Sequence, residues 1–426
     1  MSKTRPLGLK PRIGFTDWTH YRQHLITVGQ THALLIGMVL LALATRLGFW
    51  LYTGRIWEDA LITTTHALSA VDGLGLTHHL GEGRVHGFTS AVSVLIPWGA
   101  ELAVRGTGLI ALKLAALLAS VVTLIYADGV ARRLGLGLWP RVFLLAYLAC
   151  DYNQIFYGMG GMETQAAVAT IFASLFYLLK QAPLPGGLWL GLSLLARPDF
   201  VLWVFPVLLA FWLYRLRTGA IATLATAAVF GPWLLFTTLY YGSFVPHSAL
   251  AKSISVGPPR PAWGDGWGVW WAWLGERLAM NRFQFWRYFV PFYEKDSLIV
   301  HGPIQLRYAV IVAFVLLGLA LWGIWSQGRQ RWLYPAIAYL AIFTLYWILL
   351  LPGFYFAWYL PPYMGIWVVF VAAGLQRTSR AAPRLARALA LGLALLYACH
   401  IPFTYPLDAR EQQQIENAVR QPLGDY

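Results

Sequence analysis

The stretch HALLIGMVLLALATRLGFWLYTGRIWEDALI, residues 32–62, decides how the rest of the chain is read. Residues 32–52 form the first long apolar run, and about 20 such residues in a helix cross a hydrocarbon layer. Just beyond it stand two adjacent carboxylates, Glu58 and Asp59. Acidic side chains are costly in hydrocarbon, so a pair at a membrane boundary needs a reason. Either they sit on a solvated loop flank, or one of them is a catalytic base.

Composition sets the class. Of 426 residues, 58% are hydrophobic and 12% charged, whereas a soluble chain carries about 25% charged residues. With 21 Trp, 22 Tyr and 23 Phe, the chain reads as an all-α polytopic membrane protein rich in interfacial aromatics. The formal net charge of +14 sits mostly in short loops between apolar runs. That placement is a topology signal and makes a nucleic-acid partner unnecessary. The N-terminus is polar and no small-residue cleavage site follows the first run, so no cleavable signal is expected. Cys150 and Cys399 both lie in apolar runs, and neither a disulfide framework nor a metal cluster is expected.

In chain order, residues 1–32 carry Lys3, Arg5, Lys10, Arg12 and Arg22 against Asp17, and are expected on the cytoplasmic side. A membrane domain over 33–404 and an outer tail over 405–426 follow. The first span, 33–51, delivers Glu58 and Asp59 to the outer face, where 59–71 has the pattern of a short interfacial helix. The apolar stretch 92–104 contains Pro97 and Glu101. Counted as a span, it would put every later basic loop outside, so it reads as a juxtamembrane or re-entrant segment. The remaining spans are then 109–130, 138–155, 163–180, 186–196, 199–214, 219–241, 308–325, 332–351, 357–376 and 385–403. This makes about eleven, with the N-terminus in and the C-terminus out. Outer loops 52–107 and 242–306 are long while the inner ones are short, so the working surface faces outward.

The pair 186–196 and 199–214 is too short for two full spans, which need roughly 40 residues. Arg197-Pro198-Asp199 at their junction is therefore expected below the outer surface, in a protein-lined or wet cavity. Arg197 either makes a structural contact with Asp199 or clamps a phosphate, whose oxygens a guanidinium matches bidentately. After the 219–241 span, His247 and Lys252 reach the outer surface, Lys252 as a snorkelling residue or a phosphate contact. The loop 81–90 (GEGRVHGFTS) is polar and turn-rich, a weak phosphate cradle on its glycines alone. His66, His78, His79 and His86 have no recognisable ligand spacing with carboxylates, which argues against a metal site. Glu163 reads most simply as a helix first-turn acid. Trp263, Trp267, Trp270, Trp271, Trp273 and Trp286 form an interfacial belt, or a surface for a sugar or a polyprenyl chain.

Taken in order, five pieces resemble the GT-C membrane glycosyltransferases. They are Glu58-Asp59, Gly81-Glu82-x-Arg84-Val85-x-x-x-Thr89-Ser90, Gly161-Met162-Glu163-Thr164, Ala196-Arg197-Pro198-Asp199, and Tyr240-Tyr241-Gly242-x-x-Val245-Pro246-x-x-Ala249-Leu250-Ala251-Lys252. The likeness runs from about Trp57 to Tyr359 and looks nearest to the actinobacterial terminal β-(1→2)-arabinofuranosyltransferases, which use decaprenyl-phosphate arabinose. Each piece is weak; five at matching topological positions are specific for the superfamily, less so for the sugar.

The resemblance implies inverting transfer of a sugar from a polyprenyl-phosphate donor to a glycan or protein hydroxyl, outside the cytoplasm of a bacterial cell. Glu58 and Asp59 stand at the family's acidic pair, usually Asp-Asp, one member of which is the base; Asp59 is slightly preferred. Arg197, Lys252 and Arg84 are the implied donor-phosphate contacts, and His247, Glu163, His86, Glu82 and Tyr359 the implied substrate contacts. His86 replaces an acid common in that loop, which affects the acceptor side. The resemblance fixes no cofactor and leaves a divalent cation open. Larger members continue into a soluble outer domain; here either that domain is absent or the polar tail from Ala409 is its beginning. The rivals are a transporter, which should show paired broken helices in two repeated halves, and an assembly subunit, which gives no reason for the acidic pair.

Overall fold

The computed structural model describes residues 15–78, 84–249, 261–281, 289–290, 306–349 and 357–420. Its elements are α1 (Phe15–Thr53), α2 (Glu58–Val71), α3 (Val92–Ala103), α4 (Gly108–Arg133), α5 (Leu138–Cys150), α6 (Tyr152–Met159), α7 (Thr164–Leu179) and α8 (Pro183–Ala196). There follow α9 (Val201–Tyr214), α10 (Leu216–Tyr241), α11 (Trp267–Asn281), α12 (Leu306–Gln327), α13 (Tyr334–Leu349), α14 (Leu360–Ala381), α15 (Pro383–Cys399) and α16 (Ile401–Ile415). Among the described residues, seven helical segments are long and apolar enough to cross a membrane. They lie in α1, α4, α10, α12, α13, α14 and the continuous stretch Pro383–Ala418 that holds α15 and α16, while α3, α7, α8 and α9 are shorter apolar helices.

The helices share a direction that their sequences encode. Helices α4, α7 and α14 each begin at the cluster of Asp59, Glu163 and Tyr359 and run away from it. Their far ends carry the basic residues, and those ends meet. Arg133 donates to the Leu179 carbonyl at 3.4 Å, Gly137 N–H to Gln376 Oε1 at 2.6 Å, and Arg387 lies 4.6 Å from the Trp139 ring. The basic loops thus gather at one end and the acidic cluster lies at the other.

Glycines let the helices approach closely enough for dispersion to hold them where lipid removes the hydrophobic driving force. Gly323 of α12 and Gly374 of α14 are such a pair: a Cβ on either would run into a carbonyl of the other helix. In α8, Gly187 and Gly191 face α10, where a Cβ on Gly191 would lie 2.9 Å from the Thr226 carbonyl. Helix α14 is almost wholly buried, its residues enclosed by α12, α7, α5 and α15.

One expected span is corrected. The segment 138–155 is not one helix: α5 stops at Cys150, and Asp151 restarts the chain as N-cap of α6, accepting the Gln154 N–H at 3.0 Å. The break is stabilised from α1. Arg46, fully buried, donates to the Leu148 carbonyl at 3.2 Å, the Ala149 carbonyl at 2.9 Å and Gln165 Oε1 at 2.8 Å. A helix end leaves its last carbonyls unpaired, and a cation there satisfies them and complements the dipole. The short helix expected over 59–71 is present as α2, and 92–104 forms α3, which packs on α2 and α4.

Candidate active site

Two breaks in the helical pattern build the site. Pro198 disfavours helix at the residue before it, and Arg197 is extended, at φ −155° and ψ 118°, ending α8. A single 3-10 turn, Pro198–Phe200, then starts α9. Arg197 therefore projects from a break between two short apolar helices and is 3% exposed. The second break is Gly160-Gly161-Met162 between α6 and α7. Gly161 has φ +93°, and a Cβ on it would lie 2.9 Å from Ala60 Cβ and 2.7 Å from Leu109 Cδ1. Only glycine lets α2 come that close, and the approach sets Asp59 beside Glu163.

Arg197 holds the centre. Its Nε donates to Asp199 Oδ1 at 3.1 Å and its Nη1 to Glu163 Oε1 at 3.1 Å. The guanidinium lies 3.8 Å from the centre of the Tyr359 ring, a cation–π contact in a desolvated place. Among the described residues Nη2 makes no hydrogen bond to protein. Glu163 stands at the N-cap of α7, as its position predicts, but its side chain does not cap the helix: it is spent on Arg197. The structural contact and the clamp are thus not exclusive, because Asp199 and Glu163 hold the guanidinium in place and leave one edge unused.

Asp59 and Glu163 line one small cavity, about 50 Å³, with Trp358, Gly87 and the hydroxyl residues Thr89 and Ser248. Thr63 and Ser93 also line it. Neither was among the sequence candidates, although Thr63 lies one turn beyond Asp59 on α2, at the spacing that shares a helix face. Ser248 Oγ is buried without a hydrogen-bond partner among the described residues. Glu58, by contrast, is exposed and does not line the cavity.

The loop candidates form a neighbouring cluster. His86 is buried and stacked on Tyr241, with ring centres 4.7 Å apart. It exchanges two bonds with His247: His86 N–H donates to His247 Nδ1 at 3.1 Å, and His247 N–H to the His86 carbonyl at 3.0 Å. Burial, with His247 and His66 nearby, pushes the His86 imidazole down to about 4, so it is neutral near neutral pH. These contacts tie the 84–90 loop to the start of the second outer loop and carry Gly87, Phe88 and Ser248 to the cavity. Arg84 is exposed and lies over Tyr240, 4.5 Å from the ring centre. Glu82, Lys252, His79 and Trp286 lie outside the described residues.

A second cavity, of about 540 Å³, is almost wholly apolar. Trp267, Trp270 and Trp271 of α11 face Leu202 of α9 and Ile342 and Tyr346 of α13 across it. Tyr346, which lines this cavity, is partly buried. Among the described residues no group of three or more His, Cys, Asp and Glu side chains is arranged to hold a metal ion. Among the described residues, Asp59 and Glu163 are the carboxylates that line the shared cavity, and Glu163 is already engaged by Arg197.

This geometry defines a polytopic all-α membrane protein with an acidic, arginine-centred site at one end. Its fold is similar to that of the Archaeoglobus fulgidus oligosaccharyltransferase in its apo form, with a TM-score of 0.54 and 14% identity. The similarity covers 90% of this chain and 56% of that one, so the chain spans little more than half the length of the structure it resembles. No protein-family model matches the chain, and no curated protein matches it.

Proposed function

We propose that this protein is an inverting glycosyltransferase. In this reading it moves a sugar, D-arabinofuranose by the motif likeness, from a polyprenyl phosphate to a hydroxyl of a glycan outside the cytoplasm. The single observation that carries the reading is Asp59 facing a hydroxyl-lined cavity that it shares with Glu163, the partner of Arg197. By the positive-inside rule the basic end is cytoplasmic, so the site faces outward in a bacterial membrane crossed eleven times, with α8 and α9 as a short pair.

The chemistry follows from charge placement. Asp59 takes the proton of the acceptor hydroxyl as that oxygen attacks the anomeric carbon. The bond from that carbon to the phosphate oxygen breaks on the opposite face, and the phosphate leaves with the electron pair, inverting the centre. Arg197 Nη2 meets the charge developing on phosphate. Two carboxylates, Asp199 and Glu163, already engage this one guanidinium, so further cations are needed to bind a phosphate. Lys252 and Arg84, from the two outer loops, are our candidates. The tryptophan-walled groove takes the first isoprene units, and burying apolar chain there helps hold the donor against the site.

A protein acceptor is the second reading, supported by the likeness in fold to an oligosaccharyltransferase. Purified protein incubated with labelled polyprenyl-phosphate arabinose and polyprenyl-phosphate mannose, each with glycan or peptide acceptors, tests both. The expected result is free polyprenyl phosphate from the arabinose donor with label on the glycan. Release from neither donor with any acceptor rejects the activity.

A further inference from the structure

Helix α2 begins at Glu58 without a cap of its own: its N-cap residue is Trp57, whose side chain makes no capping bond. Its position must therefore be set from outside. Three consecutive residues just ahead of it are each held by a different element. The Arg55 carbonyl accepts from Lys113 Nζ of α4 at 2.9 Å. Trp57 N–H donates to the Gly160 carbonyl, in the turn between α6 and α7, at 2.9 Å. Ile56 N–H donates to Gln412 Oε1 of α16 at 3.3 Å.

The last contact comes from a helix whose buried side is polar. Thr404, Asp408 and Gln412 are spaced by four residues, so they share one stripe of α16, with Tyr405 beside it. Each finds a specific partner. Tyr405 Oη donates to the Thr45 carbonyl at 2.7 Å, and Asp408 accepts from Tyr152 Oη at 3.0 Å. Gln412 Nε2 donates to Glu416 Oε1 at 2.7 Å, orienting the amide whose oxygen takes the Ile56 N–H. Glu411, on the exposed edge, approaches Arg55 at 3.4 Å. Tyr152 begins α6, which ends at the turn that holds Trp57. The helix α16 thus reaches the α2 start twice, directly through Gln412 and indirectly through Tyr152 of α6. A buried polar stripe contributes less to stability than an apolar one would, and what it adds is a single register.

We infer that α16 is a strut that positions Asp59, with Gln412 as the positioning residue that grips the chain entering α2. Ile56 lies three residues, under one helical turn, from Asp59, so a shift at Ile56 is carried to the carboxylate. The inference rests on the reading of Asp59 as the base.

Its test combines turnover with amide hydrogen exchange of the 54–62 segment in the full chain. Gln412→Leu should speed exchange there and lower kcat, each about ten-fold, with donor KM within about two-fold and Tm within about 2 °C. Gln412→Glu combined with Glu416→Gln keeps the acceptor for Ile56 N–H and reverses the 412–416 hydrogen bond without setting two carboxylates together, so it should restore both readings. Gln413→Leu, on the exposed face, should move neither. Unchanged exchange in Gln412→Leu, a change in KM alone, or an equal effect of Gln413→Leu would overturn the strut. If Gln412→Leu does not fold, Gln412→Asn, one methylene shorter, is read by the same criteria. Asp59→Asn in the same assay separates the two ideas. Normal transfer there overturns the base assignment, whereas a silent Gln412→Leu beside an inactive Asp59→Asn overturns only the strut.

Discussion

At the scale of single residues, neighbours on a helix point about 100° apart, so only one of Glu58 and Asp59 can face the cavity. Asp59 does, and Glu58 is exposed. Asp59→Asn is therefore expected to lower transfer by about 10²- to 10⁴-fold, with donor binding intact. Glu58→Gln should stay within about three-fold of the parent, a difference that steady-state kinetics on the two variants will check. Arg197 carries a second prediction, because it is both clamp and counter-charge. Removing one partner of a buried ion pair costs about 3–5 kcal/mol, so Arg197→Ala should lower Tm as Glu163 and Asp199 lose their cation. Arg197→Lys keeps the charge but not the planar fork, and should weaken donor binding by about ten-fold with a smaller loss of Tm. Donor titration and thermal melting of both variants separate the two roles; unchanged donor affinity in Arg197→Lys would leave Arg197 a purely structural residue.

At the scale of elements, the site depends on where helices stop. Pro198 ends α8 and Gly161 allows α2 to lie against the turn before α7. Gly161→Ala must adopt a left-handed conformation, which costs roughly 1–2 kcal/mol for a residue with a Cβ, and must also push Ala60 and Leu109 away. We expect a lower Tm together with a loss of transfer larger than the stability loss explains, since Ala60 is next to Asp59. Gly158→Ala is the control: its Cβ would make ordinary contacts, 3.4 Å from Gln165 Cβ and 3.7 Å from Ala116 Cβ. Equal behaviour of the two variants, in melting and turnover, would mean that the α2 approach is not what the glycine protects. The same logic explains the α5–α6 break, legible in sequence only as an Asp in an apolar run. The side chain that stabilises it, Arg46, comes from α1, about a hundred positions away in the chain.

At the scale of the molecule, the topology is the part most open to a direct check. Single cysteines at Thr89 and Gln330, in a variant lacking Cys150 and Cys399, should react with an impermeant thiol reagent from opposite sides of sealed membranes. Thr89 is expected outside and Gln330 inside; labelling of both from one side would overturn the eleven-span reading. The apolar patterns made the all-α, polytopic architecture readable, because hydrophobic length is a local property of the sequence. The burial of Arg197 was readable too: two short apolar runs meet at Arg-Pro, and the side chain at that break is buried. What the sequence alone determined is therefore the class of fold, the end of the molecule at which the acidic residues collect, and the Arg197 break. Only the tertiary structure decided that Asp59 rather than Glu58 faces the cavity, that Glu163 is Arg197's partner, and that α16 grips Ile56. Those contacts join residues separated by 34 to 356 positions, and such pairings depend on how helices rotate and cross, which periodicity along one helix does not specify.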